Sequence, residues 1–204
     1  WGYAGPSIST DRRKKIIIGA DIGSGYGKNR GRGYRTSLSL KAKPVEQLNI
    51  EINAMQDKSP SHMQWVDILE NLNDTVRVYA NSTLITRDVN VRFDWTFSPN
   101  LTLQCYAQPF YANMDYQSFF RLEKPKTMDL VSYNYEEFSG YENPDFRLYN
   151  TVGTFVLRWE YSPGSTLYAV YNLNQKSEYS FATSKWNYEK DNAVYFKLNY
   201  WLKY

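Results

Sequence analysis

The chain has 204 residues, of which 42% are hydrophobic, 17% aromatic and 22% charged, so it is too apolar to be a disordered tail. Its length favours one domain over residues 1–204, and a formal net charge of +3 indicates no nucleic-acid partner. One cysteine, Cys105, excludes an intrachain disulfide, and one histidine, His62, excludes histidine-rich metal sites. Since no run of about 18 apolar residues occurs, the sequence predicts no transmembrane helix.

Alternation of apolar and polar residues recurs from one end of the chain to the other. Successive side chains of a strand point to opposite faces, so each alternating segment predicts a strand with one apolar and one polar face. The final segment is the clearest, with Val194, Phe196 and Leu198 opposite Tyr195 and Lys197. Eight strands are predicted, over residues 15–22, 38–43, 48–54, 88–97, 101–108, 154–161, 166–173 and 194–204.

The predicted connections are of two kinds. Three are short and contain a proline, at Pro44, Pro99 and Pro163, and proline presets the backbone for a tight turn. The others are long and polar, and they are predicted as loops over residues 23–34, 57–80, 113–150 and 175–191. Short turns at one end and long loops at the other are typical of bacterial outer-membrane barrels.

The fold class that we predict is all-β, a transmembrane antiparallel up-and-down β-barrel with eight strands in this chain. Apolar faces would then contact lipid and polar faces would line the lumen. Aromatic residues near the tight turns, such as Trp95 and Trp159, suit the headgroup level of a bilayer. A soluble two-sheet sandwich stays open as the alternative. The side chains expected in the lumen are Asp88, Arg92, Asp94, Arg158, Glu160 and Lys197.

The last strand has a second predicted role. An alternating aromatic strand at the end of a chain is what the barrel-assembly machinery of the outer membrane recognises, whereas in a soluble domain it would be an exposed edge prone to aggregation. Counting strands places this end on the side of the short turns, which is the periplasmic side. The residues of this assembly signal are Phe196, Leu198, Tyr200, Leu202 and Tyr204.

One long loop is a candidate ligand site. Aromatic rings and carboxylates together can stack on sugars and accept their hydrogen bonds, or the carboxylates can coordinate calcium, although such a loop can also simply pack over a barrel mouth. The candidate ligand contacts are Tyr133, Tyr135, Glu136, Glu137 and Tyr141. Basic residues of the first long loop (Lys28, Arg30, Arg32 and Arg35) are candidates for contact with lipopolysaccharide phosphates.

Two faint catalytic patterns do not lead to an enzyme. Gly23–Lys28 resembles a phosphate-binding loop, but Asn29 follows where Ser or Thr is needed and no helix is predicted. His62 lies beside Ser61 without triad spacing or a recognisable oxyanion hole. We therefore expect no enzymatic activity, no metal and no cofactor.

Three segments resemble one uncharacterised bacterial family: Asp88–Tyr111 (DVNVRFDWTFSPNLTLQCYAQPFY), Val156–Thr166 (VLRWEYSPGST) and Asn192–Leu202 (NAVYFKLNYWL). In this family a β-barrel domain of unknown function follows an N-terminal carbohydrate-binding module of family 9 type. The resemblance implies the outer membrane of a Gram-negative bacterium. It also implies that this chain is the C-terminal portion of a larger protein and barrel, with the module and earlier strands upstream. Cys105 stands where the family has an aliphatic residue.

The function expected from these observations is that of a membrane-embedded scaffold whose surface loops bind a ligand or partner, with a link to glycans through the upstream module. A pore or transport subunit of an envelope complex is the main alternative, and a barrel enzyme is a third. Besides the bilayer, lipopolysaccharide and the assembly machinery, other envelope proteins are expected partners. Eight strands closed alone would be filled by side chains, whereas a larger barrel would leave a lumen.

Overall fold

The computed structural model describes residues 2–27, 31–71, 74–124, 126–137, 140–181 and 183–202. These residues form a single antiparallel sheet of twelve strands, and their only helical element is a 3₁₀ turn at Tyr135–Glu137. No helix in this part of the chain combines the length and apolar character needed to cross a membrane. The strands are β1 Gly2–Ala4, β2 Ser7–Ser9, β3 Ile16–Gly27, β4 Gly31–Ala42, β5 Leu48–Asn71, β6 Asp74–Ser98, β7 Leu101–Leu122, β8 Leu130–Ser132, β9 Phe146–Ser162, β10 Ser165–Ser180, β11 Lys185–Lys190 and β12 Ala193–Asn199.

The sheet is nine strand positions wide, with seven long strands between two edges that are each formed by two short strands. β1 and β2 lie end to end along β3, and β11 and β12 lie end to end along β10. β8 adds only a short pairing to the end of β7. The order across the sheet therefore follows the chain, as in an up-and-down meander.

The three predicted proline turns are confirmed. β4 ends at Ala42 before Pro44, β6 ends at Ser98 before Pro99, and β9 ends at Ser162 before Pro163. All three lie at the same end of the sheet, which we call the tight-turn end, and the opposite end is the far end. Gly164 takes a positive φ of 77° in the last of these turns, a conformation that favours glycine.

The sheet is open in the described residues and is not closed into a barrel, whereas the sequence predicts a barrel to which this chain contributes eight strands. Among the described residues, β1–β2 form one edge and β11–β12 the other, and no pairing joins them. Both edges run toward the tight-turn end, because nine antiparallel strands return the chain to its starting direction. These two edges would meet in parallel, so the nine strands cannot close on themselves as an antiparallel barrel.

The predicted long loops 57–80, 113–150 and 175–191 are mostly wrong, since strands occupy much of each. β5 and β6 continue to Asn71 and from Asp74, and β7 continues to Leu122. Beyond the apolar segments both faces carry polar and aromatic side chains, so apolar and polar residues no longer alternate in the sequence. The backbone pairing between neighbouring strands nevertheless continues there. Residues 23–27 likewise belong to β3 and residues 31–34 to β4.

No second protein layer covers most of the sheet in the described part of the chain. Val194, Phe196 and Leu198 remain 59%, 73% and 65% exposed. The buried hydrophobic cluster is small and lies at the far end, where the segment between β7 and β9 folds back on the sheet. Its members are Leu69, Val78, Ala80, Phe119 and Tyr135.

Candidate functional site

Strand register brings the predicted apolar residues onto one face of the sheet. Phe93 of β6 stands opposite Ile50 on β5 and Cys105 on β7, and Cys105 stands opposite Phe155 on β9. Residues directly opposite one another share a face, so these side chains form a continuous apolar band. Cys105 is half-buried within this band, as expected for a small apolar residue.

The centre of the apolar band shifts steadily from β3 to β9. On β3 the centre is Gly19, which lies in register with Asn90 of β6 through β4 and β5. On β9 the apolar residues 155–161 centre on Arg158, which lies in register with Thr96 of β6 through β7. The shift is therefore six residues over five strand steps.

This shift has a simple geometric meaning. With about 3.3 Å per residue and about 4.8 Å between strands, one residue per step inclines the strands by about 35–40° to the normal of the band. Strands of transmembrane barrels are tilted by the same amount, because closing a barrel requires it. Where tilted strands cross an apolar layer of constant thickness, the apolar residues of each strand are displaced along the chain relative to those of its neighbour. This displacement is the shift seen in the sheet.

Aromatic pairs border the apolar band at both ends. At the tight-turn end the rings of Trp95 and Phe97 lie 4.3 Å apart. At the far end the rings of Tyr111 and Tyr149 lie 4.7 Å apart, and Trp186 lies 5.4 Å from Tyr149. Along β9, Tyr149 and Trp159 are ten residues apart. That separation is about 33 Å along the strand, or about 25 Å along the normal at the inclination above, the height of an outer-membrane apolar belt.

The residues predicted to face a lumen all lie on the face opposite the apolar band, which we call the polar face. On β6 they are Asp88, Arg92 and Asp94, and Arg92 stands opposite Glu51. On β9 the Arg158 guanidinium lies 2.9 Å from the Glu160 carboxylate. Lys197 of β12 stands opposite Tyr168, which stands opposite Arg158. The structure thus groups these residues on one face, while their exposure to a lumen stays a prediction.

Ion pairs recur on this polar face. Arg35 Nε lies 2.9 Å from Asp57 Oδ2, and Lys41 Nζ lies 3.8 Å from Glu51 Oε1. Their partial exposure makes each pair weakly stabilising. Neutral pairs extend the pattern, since the Thr154 hydroxyl donates to Asn172 Oδ1 over 3.0 Å.

The far-end segment between β7 and β9 (residues 123–145, of which 123–124, 126–137 and 140–145 are described) packs in its described part against the polar face and not against the apolar face. Val78 and Ala80 of β6 are fully buried beneath it. Both are an even number of residues from Asp88 along β6, so their side chains lie on the same face of the sheet as Asp88. The rings of Phe119 of β7 and Tyr135 pack in a tilted arrangement with centroids 5.0 Å apart. The segment therefore covers the side of the sheet on which the charged residues lie.

Of the predicted ligand contacts in this segment, the tyrosines are engaged in packing. Tyr135 is only 4% exposed, and Tyr133 and Tyr141 pack against the buried cluster. Burial, together with a hydrogen bond to the Asp67 carboxylate, raises the pKa of Tyr135 to about 12. Glu136 and Glu137 remain exposed beside it.

The predicted assembly-signal strand lies at one edge of the sheet. Phe196 and Leu198 belong to β12, which pairs with β10. Tyr200 and Leu202 follow the end of β12 and are exposed, whereas Tyr204 lies outside the described residues. An edge of this kind offers free backbone groups to a further strand.

The first predicted loop and the lone histidine form no catalytic arrangement. Lys28 and Arg30 lie outside the described residues, while Arg32 and Arg35 belong to β4. His62 is exposed at an irregularity of β5, between the pairs formed by Ser61 and Gln64. No group of His, Cys, Asp and Glu suited to a metal ion occurs in the described ranges.

Sequence reasoning missed two arginines on the apolar side of the sheet. Arg87 of β6 lies two residues beyond Val89, and Arg147 of β9 lies two residues beyond Tyr149. Each guanidinium lies over aromatic rings at the far-end border of the band. Arg87 directly precedes the predicted strand 88–97 and Arg147 lies within the predicted loop 113–150, so the pattern assigns neither residue to a face.

The chain belongs to the family DUF5916, a domain of unknown function, whose family model matches residues 2–203. A search of curated proteins finds no match. The family resemblance seen in the sequence is thereby confirmed for the domain itself. The carbohydrate-binding module and the membrane location that the resemblance implied stay predictions.

Proposed function

We propose that this domain is part of an integral outer-membrane β-barrel, with the apolar band against lipid and the tight turns and C-terminal strand on the periplasmic side. The slanted apolar band carries the proposal, because its inclination and height fit a bilayer crossed by tilted strands. A soluble sandwich would need a second apolar layer over the band. The exposure of Val194, Phe196 and Leu198 supports lipid as the partner of this face.

Closure of such a barrel would require additional strands, and the sheet sets a condition on their number. Both open edges run in the same direction, so an odd number of additional antiparallel strands must join them. We propose that these strands come from the same larger polypeptide. The total then becomes even, as in bacterial single-chain barrels.

The function that we propose is that of a membrane-embedded scaffold presenting a surface platform to a ligand or partner, with a link to glycans. A bilayer needs only about 9–11 residues per tilted strand. β5, β6 and β7 contain 24, 25 and 22 residues, so they would project well beyond the lipid at the far end. The folded segment 123–145 rests on this projection, and Glu136 and Glu137 are its exposed carboxylates.

A pore or transport subunit is the second candidate function. The observation in its favour is the polar face, which carries charges of both signs over several strands, as a water-filled lumen would. Single-channel conductance of the purified protein in planar bilayers separates the two functions. A stable open conductance favours the pore, and its absence favours the scaffold.

The membrane location is tested by extraction of membranes from Gram-negative cells producing the full-length protein. We expect the protein to stay in the membrane pellet after alkaline carbonate and after urea, and to dissolve only in detergent. A peripheral protein of the same cells serves as the control for release. Complete release by carbonate without detergent would overturn the membrane proposal.

A further inference from the structure

The far-end border of the apolar band holds two arginines in similar surroundings. Arg87 stands opposite Tyr111, which stands opposite Tyr149, and Arg147 stands opposite Asn113 and Tyr179. From these register positions the two Cα atoms lie about 12 Å apart, two strands and two residues along the sheet. On the proposed membrane orientation, both arginines lie at the headgroup level of the outer leaflet.

Each guanidinium is held in place by neutral groups. Arg87 Nε donates to Gln56 Oε1 over 2.7 Å, and its Cζ lies 5.7 Å from the Tyr111 ring centre. Arg147 Nε donates to Asn113 Oδ1 over 3.0 Å. Its Cζ lies 5.7 Å from the ring centre of Tyr179 and 5.3 Å from that of Phe181. Amide and ring contacts fix a guanidinium without cancelling its charge.

Charge compensation differs between the two faces of the sheet. On the polar face Arg35 and Arg158 each pair with a carboxylate at 2.9 Å. Within the described residues, Arg87 and Arg147 form no ion pair. The nearby carboxylate of Asp115 instead accepts a 2.7 Å hydrogen bond from the Asn113 amide. Two fixed cations without a direct carboxylate partner therefore lie on the face that carries the apolar band.

We propose that this cluster binds the phosphorylated headgroup of a glycolipid in the outer leaflet. Guanidinium groups bind phosphate with two parallel hydrogen bonds, which gives strong and oriented contacts. The exposed Tyr149 ring and the neighbouring Trp186 offer flat apolar surfaces that suit a sugar ring at the lipid–water boundary. One headgroup with two phosphates can contact both arginines. The acyl chains would then lie along the apolar band. This inference rests on the proposed membrane location.

The test is binding of defined lipids to the detergent-purified full-length protein reconstituted in nanodiscs, read by native mass spectrometry. The probes are bisphosphorylated lipid A, lipid A without phosphates, and inorganic phosphate. We expect the double variant Arg87→Gln/Arg147→Gln to bind bisphosphorylated lipid A about tenfold more weakly than the wild type, because each charge-assisted pair contributes strongly. Arg87→Lys/Arg147→Lys should recover part of the affinity, since charge returns without the planar fork.

The matched control is Arg77→Gln/Arg121→Gln, which removes two exposed far-end arginines outside the cluster. This control should bind lipid A within about twofold of the wild type, and heat-modifiable mobility on gels should show that all variants are folded. Equal affinity of the Arg87/Arg147 variant and the wild type would overturn the proposal. Equal binding of dephosphorylated lipid A, or full competition by inorganic phosphate, would overturn it as well. Release of the protein by carbonate would instead overturn the membrane location.

Discussion

The Tyr135 hydroxyl donates a 3.0 Å hydrogen bond to Asp67 Oδ2, joining residues 68 positions apart in the sequence. Asp67 stands opposite Val78 on the face that the segment 123–145 covers. The bond is therefore a polar link between the folded segment and the extended part of β5, beside a cluster that is otherwise apolar.

Removing this link should loosen the segment without unfolding the sheet. We expect Tyr135→Phe to destabilise the segment by about 1 kcal/mol, because the ring still fills its place while one hydrogen bond is lost. Tyr135→Ala should cost about 3–5 kcal/mol through the cavity that it creates. Limited proteolysis within residues 123–145 measures the effect, and Glu136→Gln at an exposed neighbouring position is the control.

Alkaline pH should open the same contact. Tyrosine in an unfolded chain loses its proton at about pH 10, whereas the pKa of Tyr135 in the folded protein is about 12. Between these values the unfolded segment releases its proton first. The contribution of Tyr135 to stability is therefore complete below about pH 10 and is lost as the pH rises through about 12.

Between about pH 10 and pH 12, the protease sensitivity of this segment should therefore increase more in the wild type than in Tyr135→Phe. The variant lacks the hydroxyl that titrates in this range. The difference in phenolate absorbance between the two proteins reports the titration of Tyr135 itself. We expect Asp67→Asn to lower the pKa of Tyr135, since the carboxylate opposes the phenolate. An unchanged titration in Asp67→Asn would contradict the role given to this bond.

Charge placed on the two faces of β5 should have unequal effects. Ile52 belongs to the apolar band and stands opposite Val91, whereas Asn53 lies on the polar face opposite Asn90. We expect Ile52→Arg to reduce membrane-assembled protein and to cost about 2–4 kcal/mol, as for an arginine near the bilayer midplane. Asn53→Arg, one residue away, should assemble nearly normally. Urea-unfolding midpoints in lipid vesicles give the comparison, and equal losses would count against a lipid-facing band.

The turn at Gly164 should tolerate few side chains. Its φ of 77° is unfavourable for L-residues, and a Cβ atom there would lie 3.1 Å from Cβ of Trp201. We expect Gly164→Ala to destabilise the protein by about 1–2 kcal/mol. Gly164→Asn introduces the same Cβ contact but adopts this backbone conformation more readily, so it should cost less. Unfolding midpoints that rank the two variants in the opposite order would contradict this account.

The sequence predicted the fold best where one face of each strand is uniformly apolar. The segments around Ile52, Phe93 and Leu157 alternate strictly, so their faces and the proline turns between them were predictable. Beyond the band this signal is lost. Residues such as Thr83 and Asn113 continue the ladder with polar side chains that resemble a loop in sequence.

The candidate sites were less predictable, because they depend on register between distant strands. The sequence indicated an acidic, tyrosine-rich segment but not that Tyr135 reaches Asp67 of β5. Likewise, nothing local to Arg87 indicates that it shares a border with Arg147. Only the pairing of β6, β7 and β9 brings their rings and guanidinium groups together.

The lone cysteine provides the most direct test of where the apolar band faces. Cys105 lies in the band, whereas its neighbour Gln104 lies on the polar face opposite Asp94. A fluorophore is attached to Cys105 of the reconstituted full-length protein and, for comparison, to position 104 in the double variant Gln104→Cys/Cys105→Ala. Vesicles containing lipids brominated along their acyl chains then quench any probe that contacts hydrocarbon. Strong quenching at position 105 with little at position 104 is the predicted result, and equal or absent quenching at position 105 would contradict a lipid-facing apolar band.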